Sequence, residues 1–378
     1  MIKVVSIYKE AYPSICLAFD EPLRYLAEKN IIEYRCVKGW ESDSSVLNWG
    51  DYFFFGRSAY GYELALIRKI REAGKCAVYM LDDDLLAIPP DLNCPDYCRS
   101  EDYLRGIREC IENSRCFASP SEKLIEKYGK NKDVILLEEP ILNPVEFVRH
   151  EGYPVKIGFA GSLTRTSDVN RILSEVLIRI KEKYRDKVVF EFMGARPDFI
   201  GDVDGVFYPY EKDYRKYLAR LNSLKWDIGL APLPDTPFHN CKHYIKFIEY
   251  SSMGTVSVMS DVEPYNRLRK NNMPAILCPN TEEGWESALS KLIDDYDELQ
   301  NMRYDAYQKG NSEYSLEKCA NLLLSQLEKY GNDGETRRIH YLFPRARYFI
   351  SLLSFYLKNA GLFKTFRKCF VNILGRTD

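Results

Sequence analysis

Short apolar runs of strand length alternate with amphipathic stretches from the first residues to about residue 330. In the first half the runs cover residues 2–7, 32–37, 51–55, 75–81, 116–118 and 134–137. Helical periodicity begins at Pro22 and returns over residues 62–73 and 103–113. The second half repeats the scheme, with strands at 155–160, 188–193, 206–208, 226–232, 255–258 and 275–278. Its helices cover 169–184, a stretch starting near Asp213, 282–293 and 316–329. Strands and helices alternating at this spacing predict α/β domains with parallel sheets covered on both faces. Residues 139–154 hold three prolines and little periodicity, the composition of a linker. The pattern therefore divides the chain into domains at 1–145 and 146–330, followed by a tail at 331–378.

Composition removes several function classes. The 378 residues carry 53 Lys and Arg against 55 Asp and Glu, a net charge of −2, so no strong field draws nucleic acid. Eleven cysteines are scattered, and no C-x-x-C pair or nearby histidine gives them zinc-ligand spacing. Reduced thiols in a cytoplasmic protein are the expectation. The first residues, MIKVVSIYKE, lack the apolar centre of a signal peptide, and no run approaches the ~20 apolar residues of a membrane span. No G-x-G-x-x-G follows the first strand, which argues against a dinucleotide cofactor.

The most informative stretch is FHNCKHYIKFIEYSSMGTVSVMSD, residues 238–261. It reads as an amphipathic helix ended by Gly254 and followed by a β-branched strand. Ile245, Ile248 and Ser252 fall on one stripe, and Lys242, Lys246 and Glu249 on the next. Taken alone, these charges are an ordinary set of helix-surface pairs. The order strand, DIGLAPL, loop, K-x-x-x-K-x-x-E-Y, glycine, strand, S-D resembles the donor-site signature of family 4 glycosyltransferases. The resemblance covers about residues 1–330 and is strongest over 226–265. It implies a GT-B fold: two Rossmann-like domains facing across a cleft, here with a helical, basic C-terminal tail. It also implies that Glu249 holds the ribose hydroxyls of a sugar nucleotide, since a carboxylate accepts two hydrogen bonds from a vicinal diol. Many members carry a further glutamate eight residues earlier, where this chain has Cys241.

Other donor-side candidates follow the strand at 155–160. Gly161 and Ser162 begin a small-residue turn into a helix, whose first N–H groups and dipole favour an anion, and Arg165 adds a positive charge. Ser167 or Asp168 is an N-cap candidate there. The turn resembles the GT-B loop beside the donor diphosphate, with Lys242 and Lys246 as the other phosphate candidates. Tyr210 either frames the nucleobase, as the resemblance implies, or covers the helix beginning near Asp213.

On the first domain, Asp82, Asp83 and Asp84 follow the fourth strand and Arg57 the third. Three adjacent acids invite metal ligation, but successive strand-end residues point in different directions, which disfavours it. Capping of the next turn is open to them, and the resemblance offers a cleft-facing, acceptor-side role. A salt bridge to them or an acceptor contact is open to Arg57. No histidine lies between residues 1 and 149, so the usual general base of inverting transferases is missing from this half. That fits retention, which the resemblance also implies. No catalytic residue is assigned, and no cofactor or metal is expected; the nucleotide sugar is a substrate.

Residues 335–378 hold nine cations (Arg337, Arg338, Arg345, Arg347, Lys358, Lys364, Arg367, Lys368 and Arg376) against Glu335 and Asp378, interleaved with aromatics. One reading is an interfacial helix on an anionic membrane; the other is a helical hairpin packed on the domains. The functional expectation is transfer of a sugar from a nucleotide donor to a saccharide acceptor, one carried on lipid, in cell-surface polysaccharide synthesis. The expected location is the cytoplasm, peripheral at the inner face of the membrane. A non-catalytic GT-B subunit that binds nucleotide or glycan is the alternative.

Overall fold

The computed structural model of the chain describes residues 1–8, 12–92, 94–331 and 335–374, with side chains through residue 359. The chain divides into two compact units, residues 1–138 with 319–378, and residues 139–318.

The first unit runs β1 (Lys3–Tyr8), α1 (Pro13–Ile15), α2 (Glu21–Glu28), β2 (Glu33–Lys38), α3 (Ser44–Trp49), β3 (Tyr52–Gly56), α4 (Gly61–Glu72), β4 (Cys76–Met80), α5 (Glu101–Asn113), β5 (Cys116–Ser119), α6 (Glu122–Tyr128) and β6 (Asp133–Leu136). A π-helical turn, Cys16–Asp20, joins α1 to α2. The six strands pair in parallel in the order β2-β1-β3-β4-β5-β6. Every residue of β3 and β4 is buried, as continuous apolar strands in a two-sided sheet must be.

The second unit repeats the plan with β7 (Val155–Gly161), α7 (Thr166–Tyr184), β8 (Val188–Gly194), β9 (Val206–Tyr208), α8 (Tyr214–Leu224), β10 (Ile228–Ala231), α9 (Ile245–Ser252), β11 (Val256–Ser260), α10 (Glu263–Lys270), β12 (Ala275–Cys278), α11 (Glu282–Asp294) and α12 (Tyr296–Glu313). Its parallel order is β12-β11-β10-β7-β8-β9. Both units are therefore Rossmann-like. Two glycines let aromatic rings lie directly on this second sheet. A Cβ on Gly158 would stand 1.9 Å from the Trp226 ring, and one on Gly229 2.4 Å from the Tyr250 ring. Tyr250 then donates to the Leu230 carbonyl at 3.1 Å and accepts from the Ala160 amide at 3.3 Å, which pins α9 over β7 and β10.

A buried polar cluster fixes α12. Arg303, only 1% exposed, donates to the Gly254 carbonyl at 2.7 Å and to Gln300 at 2.7 Å, and lies 3.6 Å from Asp227. Burial alone would raise the Asp227 carboxyl; hydrogen bonds from His150 and the Lys156 amide, with the Arg303 charge, hold it below the usual range instead.

Helix α13 (Leu316–Lys329) carries the chain back to the first unit, where Ala320, Leu323 and Leu327 join the core of the first sheet. The segment after it continues that packing. The Arg337 amide donates to the Ala73 carbonyl at 2.9 Å, Asn48 bonds both backbone groups of Ile339 at 2.8 Å, and Ser44 accepts from the Tyr341 amide at 2.7 Å. In α14 (Pro344–Leu374), Tyr348 meets Trp40 and Tyr62 with ring centroids 4.9 and 4.7 Å apart. Ser351 Oγ accepts from the Tyr62 amide at 3.0 Å, satisfying a donor in the first turn of α4 that has no partner within its own helix. Of the two sequence readings for the tail, packing on the domain describes residues 337–356. The side chains of Lys364, Arg367 and Lys368, and all of Arg376, lie outside the described residues. Among the described residues no helix is long and apolar enough to cross a membrane.

Candidate functional site

Open α/β sheets bind ligands beyond the carboxyl ends of their strands, and the second unit gathers most of its candidates there. β7 and β8 end together, with the Ala195 amide donating to the Gly161 carbonyl at 2.9 Å. Gly194 has φ +84, and a Cβ there would stand 2.1 Å from the Gly161 oxygen, so no other residue fits without moving that turn. The Tyr210 ring lies against the same glycine, 3.3 Å from that Cβ position, and Tyr210 is 50% exposed. The ring thus covers the strand end, and its open surface is free to stack.

After Gly161 a 3-10 turn (Leu163–Arg165) precedes α7. Ser162 is exposed and bonds Thr164 at 2.8 Å. The N-cap of α7 is Arg165, without a side-chain capping bond, rather than Ser167 or Asp168 as the residue types suggested. The intervening turn moves the helix start and places Asp168 in the first turn instead. Arg165 bridges two elements, donating to the Pro232 carbonyl at 2.6 Å and standing 3.3 Å from Asp168.

Asp168 is the centre of a wider cluster. Arg171 is 3.4 Å away and His239 Nε2 3.7 Å, while His239 Nδ1 lies 2.8 Å from Thr236 Oγ1. Burial, assisted by the charges of Arg165, Lys242 and Arg171 against the opposing pull of Asp168, pushes His239 down to about 4. The imidazole is therefore neutral near pH 7. Arg165 and Arg171 at Asp168, with Lys242 acting on the neighbouring His239, set more cations than carboxylates in this cluster, which favours an anion such as a phosphate. His239 was not singled out in the sequence; its place just beyond the carboxyl end of β10 was the available signal.

The helix expected over 238–253 is shorter than its periodicity suggested. A 3-10 turn (His239–Cys241) is followed by extended Lys242, and α9 begins only at Ile245. Tertiary anchors override the pattern: the His243 side chain, 6% exposed, lies 3.0 Å from buried Glu139, and Tyr244 is buried in the local core. Lys242 is thus not in one helical row with Lys246 and Glu249; its ammonium stands 4.9 Å over the Phe238 ring. Cys241 is buried.

Glu249 and Lys246 do share a helix face. Glu249 is 4% exposed and accepts three bonds: from Tyr214 on Oε1 at 3.1 Å, and on Oε2 from Tyr217 at 2.8 Å and Lys246 at 2.6 Å. Lys246 also reaches the Tyr217 oxygen at 2.9 Å. Burial first, and the Glu249 charge second, raise both tyrosines well above their ordinary range, so they serve as hydrogen-bond donors. A cavity of about 200 Å³, lined in part by Glu249, Tyr214, Leu218, Ile248 and Ser252, runs between α8 and α9. Tyr214 and Tyr217 escaped the sequence reading, although their i, i+3 spacing at the start of a helix places them on one face.

On the first unit the acids diverge. Arg57, with φ +54, donates to Asp82 Oδ2 at 2.7 Å and to Asp83 at 2.9 Å. Burial would lower the Arg57 pKa, but the two aspartates outweigh it and hold it raised. Asp84 turns inward to Lys127 at 2.5 Å and Tyr128 at 2.6 Å. The salt bridge considered for Arg57 is formed, and Asp82 and Asp83 are its partners. Among the described residues no group of three or more His, Cys, Asp or Glu is placed to hold a metal ion. The described cysteines are free thiols.

The class defined by these two units is the GT-B fold, and solved structures bear this out. The chain is similar to Anabaena HepE in complex with UDP-glucose (TM-score 0.59, 10% identity, 87% of this chain and 100% of that one). A glycosyltransferase from Rickettsia africae matches equally well (TM-score 0.59, 12% identity, 86% and 97%). TarM has a TM-score of 0.54 at 11% identity, covering 81% of this chain and 57% of its own. No family model matches the chain, and no curated protein matches it by sequence.

Proposed function

We propose that the chain is a family 4-type, retaining glycosyltransferase that binds a nucleotide sugar on its second unit. The observation that carries the reading is Glu249: a buried carboxylate midway along α9, oriented by Tyr214, Tyr217 and Lys246, at the signature position for the ribose contact. Three of its roughly four acceptor positions are filled, and the remaining one, on Oε1, is left for a ribose hydroxyl. Arg165, Lys242 and Lys246, with the Gly161–Ser162 turn, supply the positive surroundings for the diphosphate. Charge developing on the leaving phosphate is then stabilised in place. Tyr210 offers its exposed ring to the base.

Arg57, Asp82 and Asp83 form the acceptor-side set, where a carboxylate-edged arginine suits sugar hydroxyls. The acceptor is a saccharide carried on lipid, in cell-surface polysaccharide synthesis, and the basic tail meets the anionic inner face of the membrane. UDP and UDP-glucose occupy HepE, which makes uridine nucleotides the first donors to try. Calorimetry with UDP and with uridine tests the donor half: UDP should bind far more tightly. Equal affinities would remove the phosphate site.

Cys241 favours a second reading, a GT-B subunit that binds nucleotide without transferring sugar. Binding without turnover of any donor would select it.

A further inference from the structure

Five of the large apolar side chains most open to water lie in one short stretch. Leu342, Phe343, Ile350, Leu353 and Leu357 are 64, 74, 67, 40 and 39% exposed. Together with Ala346, the last three recur at helical spacing along one side of α14. The opposite side, Tyr348, Leu352, Phe355 and Tyr356, is buried against the first unit. The helix cannot roll to hide the stripe, because Ser351 and Tyr348 hold it at Tyr62. Its start is also built outward. Phe343 has φ +59, a conformation that costs a bulky residue free energy. Arg347 secures that turn, its amide donating to the Phe343 carbonyl at 3.1 Å and its Nε to the Leu342 carbonyl at 3.1 Å.

We propose that this outward face of α14, rather than the aromatic face counted from the sequence, seats on an anionic lipid surface. The inference rests on the membrane part of the proposed function and names the residues that perform it. Charge complementarity decides the occupant. Residues 335–359 carry Arg337, Arg338, Arg345, Arg347 and Lys358 against Glu335, with Lys358 standing 3.7 Å from Asp102 of α5. Arg345 and Arg347 flank the stripe on its two sides, the arrangement in which apolar side chains enter the acyl boundary while cations meet headgroup phosphates. A second copy of the chain fits poorly, since a two-fold pairing of identical faces would set these arginines against one another.

The test uses the full chain and vesicles of phosphatidylcholine, with and without phosphatidylglycerol, in a sedimentation assay without nucleotide. The full chain should sediment with the anionic vesicles and release partly as salt rises. Replacing Ile350 and Leu353 together by serine should weaken that association roughly tenfold or more, because their burial is not screened by salt. Both positions are exposed, so the fold should survive; if it does not, R345Q probes the same face through its charge. Unchanged sedimentation of the folded variant overturns the proposal, as does a full chain that ignores anionic vesicles. Self-association that the serine variant abolishes, without lipid binding, overturns it in favour of a second copy. UDP affinity measured in parallel separates the two ideas: vesicle binding without nucleotide binding sinks only the donor assignment.

Discussion

The Tyr217 hydroxyl donates to Glu249 Oε2 at 2.8 Å, while Tyr214 occupies the other oxygen at 3.1 Å. Two phenols thus stand one on each oxygen of the carboxylate and, with Lys246, leave it one acceptor position for a ribose hydroxyl rather than the two expected for a diol. Glu249→Ala should therefore do two things. Left without their acceptor, Tyr214, Tyr217 and Lys246 should cost about 1–3 kcal/mol of stability, read as a lower urea midpoint. UDP affinity should fall roughly ten- to a hundredfold. Tyr217→Phe separates the effects: it should lose stability yet keep UDP binding, because the acceptor position on Oε1 is untouched. If it loses UDP as fully as Glu249→Ala, the carboxylate acts only through the packing of α8.

Arg165 joins the carbonyl of Pro232 to Asp168. Arg165→Gln or Lys242→Gln should weaken UDP far more than uridine, since the lost partner is an anion's. Equal losses for both ligands, measured by calorimetry, would assign these cations to folding alone.

His239 supplies a pH dependence with a definite sign. Its pKa lies at about 4 in the folded chain against 6.5 unfolded, lowered by burial and by Arg165, Lys242 and Arg171. Between those values the unfolded chain binds the proton and the folded chain does not. The contribution is thus full above pH 6.5 and lost as pH falls towards 4, by about 3 kcal/mol at most. Urea midpoints for His239→Asn should be flatter than wild type across that window. A slope unchanged in the variant would move the effect to another group.

Tyr348 is buried between Trp40 and Tyr62, and Ile339 and Tyr341 are bonded to α3. A chain ending at Tyr330 should lose cooperative unfolding of its first unit and bind apolar dyes. Tyr348→Ala in the full chain should cost about 3 kcal/mol or more. A shortened chain with an unchanged melting profile would show that the segment is dispensable.

The central strands were legible because they are buried on both faces, so runs such as YFFFG and CAVYM are continuously apolar. Helix α12 escaped, for its buried positions include Gln300 and Arg303, charges and amides whose partners lie far away in sequence. The start of α9 was misplaced for a similar reason: the bond of His243 to Glu139 spans 104 residues and leaves no local trace. In the candidate site, Glu249 and Lys246 were readable from an ordered motif, and Arg165 from the small-residue turn after β7. Tyr214, Tyr217 and His239 were not, because what joins them to it is contact across elements. The tail's apolar residues were visible, but which of its two faces is buried depends on Tyr62 and Trp40.

Turnover of sugar nucleotides tests the central claim most directly. The full chain is mixed with a panel of labelled uridine, guanosine, adenosine and thymidine diphosphate sugars, with anionic vesicles and a mixture of lipid-linked saccharide acceptors. Release of nucleoside diphosphate and labelled lipid are followed together. One donor should be consumed, its sugar should appear on the acceptor with the anomeric configuration it had in the donor, and Glu249→Ala should slow the signal roughly ten- to a hundredfold at sub-saturating donor. Tight binding of a donor with no release, or a folded chain that binds none of the panel, would contradict the assignment as a glycosyltransferase.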